Sequence, residues 1–379
     1  MADSFPLLIQ VLRKPEIISG FSATDWNVLI QQARAQQLLG RLAVLFEQKG
    51  LTDQIPQQPL HHLNAMLKFS QAQCKATQWE ITQIENSLAE LGTPVVILKG
   101  AAYCAAELPF ARGRVFSDID ILVARERIQD VEQALLDDGW IGSHHNKYDQ
   151  RYYREWMHEI PPMQHPQRKT LLDVHHNIVP LTGKIKIDSS LLLQDIVKLP
   201  ANHFQEIYRL ADVDMLLHSI LHMTLDGEFN NGLRDLVDIA SMMEYFSQDH
   251  DFMESLPTRA KQLDAENQLC YALQLCVDVL AINLPGTVAH TVSQHTSTGL
   301  SGRLMRKLLK QVMLSAKPFN DPAAKQLAHW LLFTRSHYLK MPLHLLLPHL
   351  VIKTLTSLKE QEDDLPKEVL KYLKQTRRP

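Results

Sequence analysis

The 379-residue chain is too long for a single ordinary hydrophobic core and suits two or three packed units. Its 45% hydrophobic and 21% charged residues are typical of a soluble globular protein. A net charge of −3 excludes both a strongly basic nucleic-acid binder and a strongly acidic protein.

The order of the predicted elements divides the chain into three regions. Residues 1–90 repeat apolar side chains at helical spacing, with Thr24 as a plausible N-cap. Residues 91–190 mix β-branched runs with short helical stretches, and residues 191–379 return to the helical pattern. The predicted fold class is α+β, in which a small mixed β-sheet core is flanked by N-terminal and C-terminal helical regions.

Four segments of the central region are predicted to be strands. A long amphipathic helix is predicted between the second and the third of them. The helix is predicted at 125–140 and ends near a glycine. The predicted strand segments are "PVVILKG" (94–100), "VFSDIDILV" (115–123), "YDQRYYREWMHEI" (148–160) and "TLLDVHHNIV" (170–179).

The cysteines and the chain ends favour a cytoplasmic location. The four cysteines are sparse and lack CxxC spacing, which predicts reduced thiols rather than disulfides or a zinc site: Cys74, Cys104, Cys270 and Cys276. The first sixteen residues lack the features of a signal peptide. The most apolar stretch, 341–355, is too short to span a membrane, and we expect a helix buried on one face there.

The C-terminal region is basic, because residues 301–379 hold 15 Lys and Arg against 6 Asp and Glu. Such a tail could meet RNA, anionic lipid or a protein partner. Solvated helix faces explain the same charges, so nucleic-acid binding is allowed but not indicated.

Asp118 and Asp120 interrupt an otherwise apolar strand-like run. Side chains two residues apart in a strand point to the same face, so the two carboxylates project together. At a separation of about 5 Å they repel by about 3 kcal/mol at an effective dielectric constant of about 20. A bound Mg²⁺ is the simplest reason for such a pair, and Asp173 could join it if its strand lies alongside. The same spacing also arises by chance, where an aspartate ends a strand or pairs with a lysine.

Residues near these acids fit phosphate handling. Gly100 ends a strand and begins a helix, so a phosphate could approach the amides of the helix N-terminus. Lys99, Arg112 and Arg114 could supply the positive charge that phosphoryl or nucleotidyl transfer requires. His175 shares a strand face with Asp173 and could act as a base, as a phosphate donor or as support for a neighbouring group.

Other candidates have competing structural explanations. His218 and His222, with Asp226 one turn further, have a spacing that can hold zinc, but a buried or interface pair of histidines is favoured. His158 and Glu159 are expected to shape the rim of the pocket. The aromatic and cationic residues of 147–156 could stack a base or contact RNA, or form a solvated amphipathic element.

The stretch "LKGAAYCAAELPFARGRVFSDIDILV" (98–123) resembles the signature of an uncharacterised nucleotidyltransferase-like family of the DNA polymerase beta superfamily. The segment around "LLDVHH" (171–176) and the helical block from 214 to 243 resemble later blocks of that family, and the likeness covers about residues 20–245.

This resemblance implies that Asp118 and Asp120 are metal ligands, that Asp173 is the third acid and that Gly100 corresponds to the Gly-Ser turn of the superfamily. Ala101 stands where that turn has serine, which removes one phosphate contact.

The function expected from these features is nucleotidyl transfer dependent on Mg²⁺ or Mn²⁺. An NTP would donate its NMP to a hydroxyl acceptor and release pyrophosphate; the acceptor, whether a protein, RNA, a sugar or a small molecule, is not specified by the sequence. The alternatives are a catalytically inactive binding or regulatory protein, and an RNA-associated scaffold that uses the basic tail. No GxSxG, Walker-type or dinucleotide fingerprint appears, which disfavours serine hydrolases, P-loop enzymes and Rossmann dehydrogenases.

Overall fold

The computed structural model describes residues 5–143, 147–200, 203–286, 288–290, 292, 300–313 and 323–352. The basic tail at 365–379 lies outside the described residues. Within these ranges, no helix combines the length and the apolar character needed to cross a membrane.

Four helices precede the sheet: α1 (Leu7–Arg13), α2 (Ala23–Ala35), α3 (Leu39–Gln48) and α4 (Gln57–Leu88). The N-cap of α2 is Ser22, not the predicted Thr24. Ser22 Oγ accepts a hydrogen bond from the backbone N–H of Asp25, and the Asp25 carboxylate accepts one from the Ser22 N–H. This reciprocal capping box satisfies two amides at the start of the helix, two residues earlier than the apolar pattern suggested.

Seven strands form one mixed sheet: β1 (Val95–Leu98), β2 (Ile119–Leu122), β3 (Ile141–Gly142), β4 (Met163–Gln164), β5 (Leu171–His175), β6 (Val197–Lys198) and β7 (Ile207–Arg209). Their spatial order is β3–β4–β5–β2–β1–β7–β6. β2 lies antiparallel to β1 and parallel to β5, and β1 lies parallel to β7. Every residue of β1 and β2 is buried, as their continuous apolar runs require at the centre of a sheet covered on both faces.

Helices alternate with the strands and then continue the chain. The helices between strands are α5 (Lys99–Ala105), α6 (Ile128–Asp137), α7 (Lys147–Arg151) and α8 (Ser189–Gln194). The helices that follow are α9 (Asp212–Leu225), α10 (Gly232–Phe246), α11 (His250–Gln262), α12 (Glu266–Leu275), Leu300–Met313, Ala323–Lys340 and residues 343–352. This combination of a mixed sheet with helices before and after it confirms the predicted α+β class.

One continuous cluster of buried apolar side chains extends from Leu8 in α1 to Leu332 in the helix Ala323–Lys340. The sheet and both helical regions contribute to it, so each helical region holds the sheet through shared packing. The division of the chain at residues 90 and 190 into separate regions stays a prediction.

Two secondary-structure predictions were wrong. Residues after 190 are not uniformly helical, because β6 and β7 extend the sheet beside β1; at two and three residues they are too short for an alternating pattern to reveal. The aromatic segment predicted as a strand is helical over α7 and continues as a π-helical turn, Tyr152–Trp156. Packing in the folded chain overrides the strand propensity of its tyrosines and tryptophan.

The predicted reduced state was wrong for two of the four cysteines. Cys74 on α4 and Cys104 on α5 form a disulfide with their Cα atoms 5.5 Å apart, while Cys270 and Cys276 are free and buried. Thirty residues separate the paired cysteines, so only the packing of α4 against α5 brings them together.

Close backbone packing fixes the loop that leads into β2. A Cβ atom on Gly40 of α3 would lie 2.3 Å from the carbonyl oxygen of Gly113, and Gly113 itself has φ +79°. The neighbouring Arg41 donates from Nη1 to the Phe110 carbonyl oxygen over 2.8 Å. Helix α3 therefore positions the segment that carries the acidic residues of β2.

We expect Gly40→Ala to lower the free energy of unfolding by about 1–3 kcal/mol, because the added methyl group must push the 113 backbone away. Denaturant unfolding followed by circular dichroism measures this change. Gly20→Ala is the control, since a Cβ there meets no atom within 4 Å. Equal stability of the two variants would show that the α3–loop contact is loose.

Candidate active site

Three adjacent strands bring two carboxylates together. In the register of the sheet, Asp120 on β2 is paired with Leu98 on β1 and with Asp173 on β5. Directly paired residues share a face of the sheet, so the side chains of Asp120 and Asp173 point to the same side. Oxygen atoms of these two carboxylates and a ring nitrogen of His175 all lie within 4.8 Å of one another.

Asp118 lies just before β2 and is partly buried. Ser117 Oγ donates a hydrogen bond to Asp118 Oδ1 over 3.1 Å. A cavity of about 400 Å³ opens beside Asp118, and its lining includes Trp79, which is 55% exposed, and Arg168. Asp118 thus borders a space large enough for part of a small-molecule substrate.

Lys99 supplies the nearest cation to the carboxylates. Its Nζ atom lies 2.8 Å from Asp120 Oδ1. The residue joins β1 to α5 and adopts φ +49°, a left-handed conformation that is uncommon for a residue with a side chain. Burial alone would lower the pKa of Lys99, but the charges of Asp120 and Asp118 outweigh it and raise the pKa. Lys99 is therefore a protonated ammonium at neutral pH.

His175, at the end of β5, contacts the same oxygen of Asp120. Its Nε2 atom lies 3.0 Å from Asp120 Oδ1, and the side chain is only 4% exposed. Burial lowers the pKa of His175, but its hydrogen bond to Asp120 and the charge of Glu159 outweigh burial and raise it.

The two paired carboxylates have opposite pKa shifts. Burial raises the pKa of Asp120, but Lys99 and His175 outweigh burial and hold it far below its usual range. Burial, followed by the charges of Asp120 and Glu159, raises the pKa of Asp173 to about 7. The charges of Asp120 and Glu159 thus add to burial in disfavouring an ionised Asp173, and a divalent cation beside it would offset both effects. The carboxylates of Asp120 and Asp173 are hard oxygen donors that fit Mg²⁺ or Mn²⁺, and the third member of their group of potential ligands is His175 rather than Asp118.

The predicted phosphate-binding residues lie in different surroundings. Gly100 is buried in the first turn of α5, where a Cβ atom would lie 2.0 Å from Arg114 Nη1. Arg114 is itself buried, and its Nε donates to Asp238 Oδ2 on α10 over 2.6 Å. Arg112 pairs with Glu47 on the surface over 2.6 Å. Of the three predicted cations, only Lys99 contacts one of the carboxylates of the site. Arg112 pairs instead with a residue of α3, and Arg114 with a residue of α10.

Helix α9 adds two histidines to the neighbourhood of Lys99. His218 is buried, and burial together with the charge of Lys99 lowers its pKa to about 3. The charge of Lys99 also lowers the pKa of His222, whose side chain is 43% exposed. His222 Nδ1 lies 3.9 Å from Asp235 Oδ2. The groups of potential metal ligands in the described residues include neither histidine.

The helical motif "LRD" on α10 has other partners than its spacing suggested. Helical spacing would allow Arg234 to pair with Asp238, four residues on, but its Nη2 lies 2.9 Å from Asp235 Oδ1 and its Nη1 donates to Gln37 Oε1 over 2.7 Å. Asp238 is thereby left to pair with Arg114, a contact across 124 residues that helical spacing cannot reveal.

The sequence matches a family model described as an uncharacterised nucleotidyltransferase over residues 22–281. The chain belongs to this nucleotidyltransferase family. The match contains every candidate site residue from Lys99 to His175 and confirms the resemblance seen in the sequence. Family membership supports a transferase that acts on a nucleotide.

The chain also has a weaker similarity to a solved structure. The chain is similar to an antigenic nucleotidyltransferase-like protein from Paracoccidioides brasiliensis, with a TM-score of 0.31 and 15% identity. The match covers 56% of this chain and 96% of that chain. A search of curated proteins finds no match.

Removing one member of the buried Arg114–Asp238 pair leaves an uncompensated charge. We expect Asp238→Ala to lower the free energy of unfolding by about 3–5 kcal/mol. Glu47→Ala removes the exposed pair with Arg112 and is expected to cost at most about 1 kcal/mol. Denaturant unfolding of both variants measures the contrast, and losses of equal size would contradict a supporting role for the buried pair.

Proposed function

We propose that this protein transfers an NMP group from an NTP to a hydroxyl acceptor and releases pyrophosphate. The observation that carries the proposal is the side-by-side placement of Asp120 and Asp173 on one face of the sheet, with ligand atoms of the two carboxylates within 4.8 Å of each other. Membership of the nucleotidyltransferase family supports the same reaction class.

Asp118, Asp120 and Asp173 are the residues that would hold Mg²⁺ or Mn²⁺. When bound, such a cation neutralises phosphate oxygens and increases the acidity of the attacking hydroxyl. Lys99 and His175 fix the orientation of Asp120, because both contact its Oδ1 atom and leave Oδ2 as the second donor.

The reaction forms a bond between the acceptor oxygen and the α-phosphorus. The bond from that phosphorus to the oxygen bridging to the β-phosphate breaks, and pyrophosphate leaves with the electron pair. The hydroxyl proton passes to the carboxylate of Asp173, which is only partly buried and faces the same space as Asp120. Such a proton transfer from a positioned hydroxyl typically contributes about 10²–10⁴-fold to the rate.

We assign the triphosphate to the end of β1 and the start of α5. Lys99 offers its ammonium group there, while Gly100 leaves room for the buried Arg114 side chain that packs against it. Arg112 can exchange Glu47 for a phosphate at little cost, because exposed ion pairs contribute at most about 1 kcal/mol. Breaking the buried pair between Arg114 and Asp238 would cost more free energy. We therefore assign Arg114 a structural role rather than a role in phosphate binding.

A catalytically inactive nucleotide-binding or regulatory protein is the alternative. Lys99 Nζ already gives Asp120 a cationic partner at 2.8 Å, and Ala101 offers no hydroxyl to a phosphate. This alternative predicts nucleotide binding without pyrophosphate release, or no nucleotide binding.

We expect non-hydrolysable NTP analogues to bind only with Mg²⁺ or Mn²⁺, and Asp118→Asn to weaken that binding by at least about 10-fold through loss of a charged ligand. Calorimetry with the four common NTP analogues measures the affinity. Asp137→Asn is the control, since Asp137 is an exposed aspartate on α6.

Wild-type protein that binds none of the analogues with either cation would contradict the proposal, as would unchanged binding in Asp118→Asn. If binding is metal-dependent, incubation with α-labelled NTP and candidate acceptors distinguishes the enzyme from the inactive alternative through pyrophosphate release.

A further inference from the structure

A second group of potential metal ligands lies on the opposite side of the His175 ring from Asp120. Ligand atoms of His158, Glu159 and His175 all lie within 4.8 Å of one another. His158 and His175 also stack, with ring centroids 5.2 Å apart. The aspartate site described above uses none of the atoms that His158 and Glu159 contribute.

Backbone pairing along β5 builds this group. Glu159 and His175 form an isolated antiparallel bridge, so their side chains emerge side by side on one face. Ile160 N–H donates to the Val174 carbonyl over 3.0 Å, and His176 N–H donates to the His158 carbonyl over 2.9 Å. Glu159 and His175 therefore stand on paired backbone, which places ligands more firmly than a loop does, and His158 lies in the bend directly before Glu159.

Two ring nitrogens in this group are buried without a hydrogen bond. They are His158 Nδ1 and His175 Nδ1. Leaving a buried polar atom unpaired costs about 1–3 kcal/mol, so a pair of them at one place calls for a ligand. His175 Nδ1 lies 3.3 Å from Glu159 Oε2, a contact without hydrogen-bond geometry.

The contact that His175 Nε2 makes with Asp120 determines whether His175 Nδ1 can bind a metal ion. Asp120, held ionised by Lys99, can only accept, so His175 Nε2 carries the proton in their 3.0 Å contact. A metal ion would displace any proton from Nδ1, which then presents a lone pair toward the ion beside the Glu159 carboxylate. A cation between the two atoms would satisfy both.

The distance agrees with coordination to a small divalent ion. Nitrogen and oxygen ligands each about 2.0–2.1 Å from a tetrahedral Zn²⁺ lie about 3.3 Å apart. That is the separation of His175 Nδ1 and Glu159 Oε2. Metal-bound histidines also commonly donate their second ring N–H to a carboxylate, as His175 does to Asp120.

We propose that His158, Glu159 and His175 form a binding site for a divalent transition-metal ion of the zinc class, separate from the all-oxygen site at Asp118, Asp120 and Asp173. Two imidazole donors favour Zn²⁺ over Mg²⁺, which prefers oxygen. Three protein ligands leave a fourth position for water or a substrate oxygen, as in catalytic zinc sites. The inference does not depend on nucleotidyl transfer.

The test uses the full chain, freed of metal with a chelator and then titrated with Zn²⁺ against a chromophoric competitor in excess Mg²⁺. We expect one Zn²⁺ per chain. Glu159→Gln and His158→Asn should each weaken Zn²⁺ binding by about 100-fold or more. His203→Asn, which removes a histidine paired with Glu107, and Asp118→Asn should both retain it.

Thermal unfolding with and without Zn²⁺ separates loss of the site from loss of the fold. Zn²⁺ should raise the unfolding temperature of the wild type and of both controls, and leave that of Glu159→Gln unchanged. No Zn²⁺ uptake by the wild type would overturn the proposal in favour of a metal-free ion pair between protonated His175 and Glu159. Uptake lost in Asp118→Asn but kept in Glu159→Gln would place the metal at the aspartates and also overturn it.

Discussion

Asp120 is only 3% exposed in β2, the central strand of the sheet, whose other three residues are apolar. A buried charge without partners would cost several kcal/mol, and Asp120 avoids that cost because Lys99 Nζ and His175 Nε2 both contact its Oδ1 atom. These contacts connect the end of β1, the centre of β2 and the end of β5. Ligand atoms of Asp120 and Asp173 lie within 4.8 Å of each other, and burial together with the charge of Asp120 raises the pKa of Asp173 to about 7.

The helical regions hold this arrangement in place through three contacts. Helix α3 meets the loop before β2 at Gly40 and Gly113, and α10 reaches the same loop through the Arg114–Asp238 ion pair. The disulfide from Cys74 joins α4 to the end of α5, the helix that begins at Lys99. The position of Lys99 relative to Asp120 therefore depends on packing from both sides of the sheet.

Part of the site could be predicted from the sequence because it follows from the alternation of side chains in a strand. The apolar run around Asp120 identified a strand, and the parallel pairing with β5 then placed Asp173 beside it. The resemblance to the nucleotidyltransferase family rested on the same residues, and the family model confirms it. Asp118, by contrast, lies before the strand begins, and its part in metal binding stays a proposal.

The remaining features depend on contacts between distant parts of the chain. Spacing alone cannot tell that Arg114 faces Asp238 rather than a phosphate, since 124 residues separate the two. His158 and Glu159 lie beside His175 because Glu159 forms a single backbone bridge to it. A single bridge produces no periodic pattern in the sequence, so this proximity could not be predicted. The Cys74–Cys104 disulfide likewise depends on the packing of two helices, and no short cysteine motif in the sequence indicates it.

The central claim is that Asp120 and Asp173 together hold a divalent cation that a nucleotide shares. Anomalous diffraction from crystals soaked with Mn²⁺ and a non-hydrolysable NTP analogue tests it most directly. We predict a peak about 2.1 Å from an oxygen of each carboxylate, with triphosphate density beside it. Crystals with no peak between these carboxylates, or with Mn²⁺ only at His158, Glu159 and His175, would contradict the account.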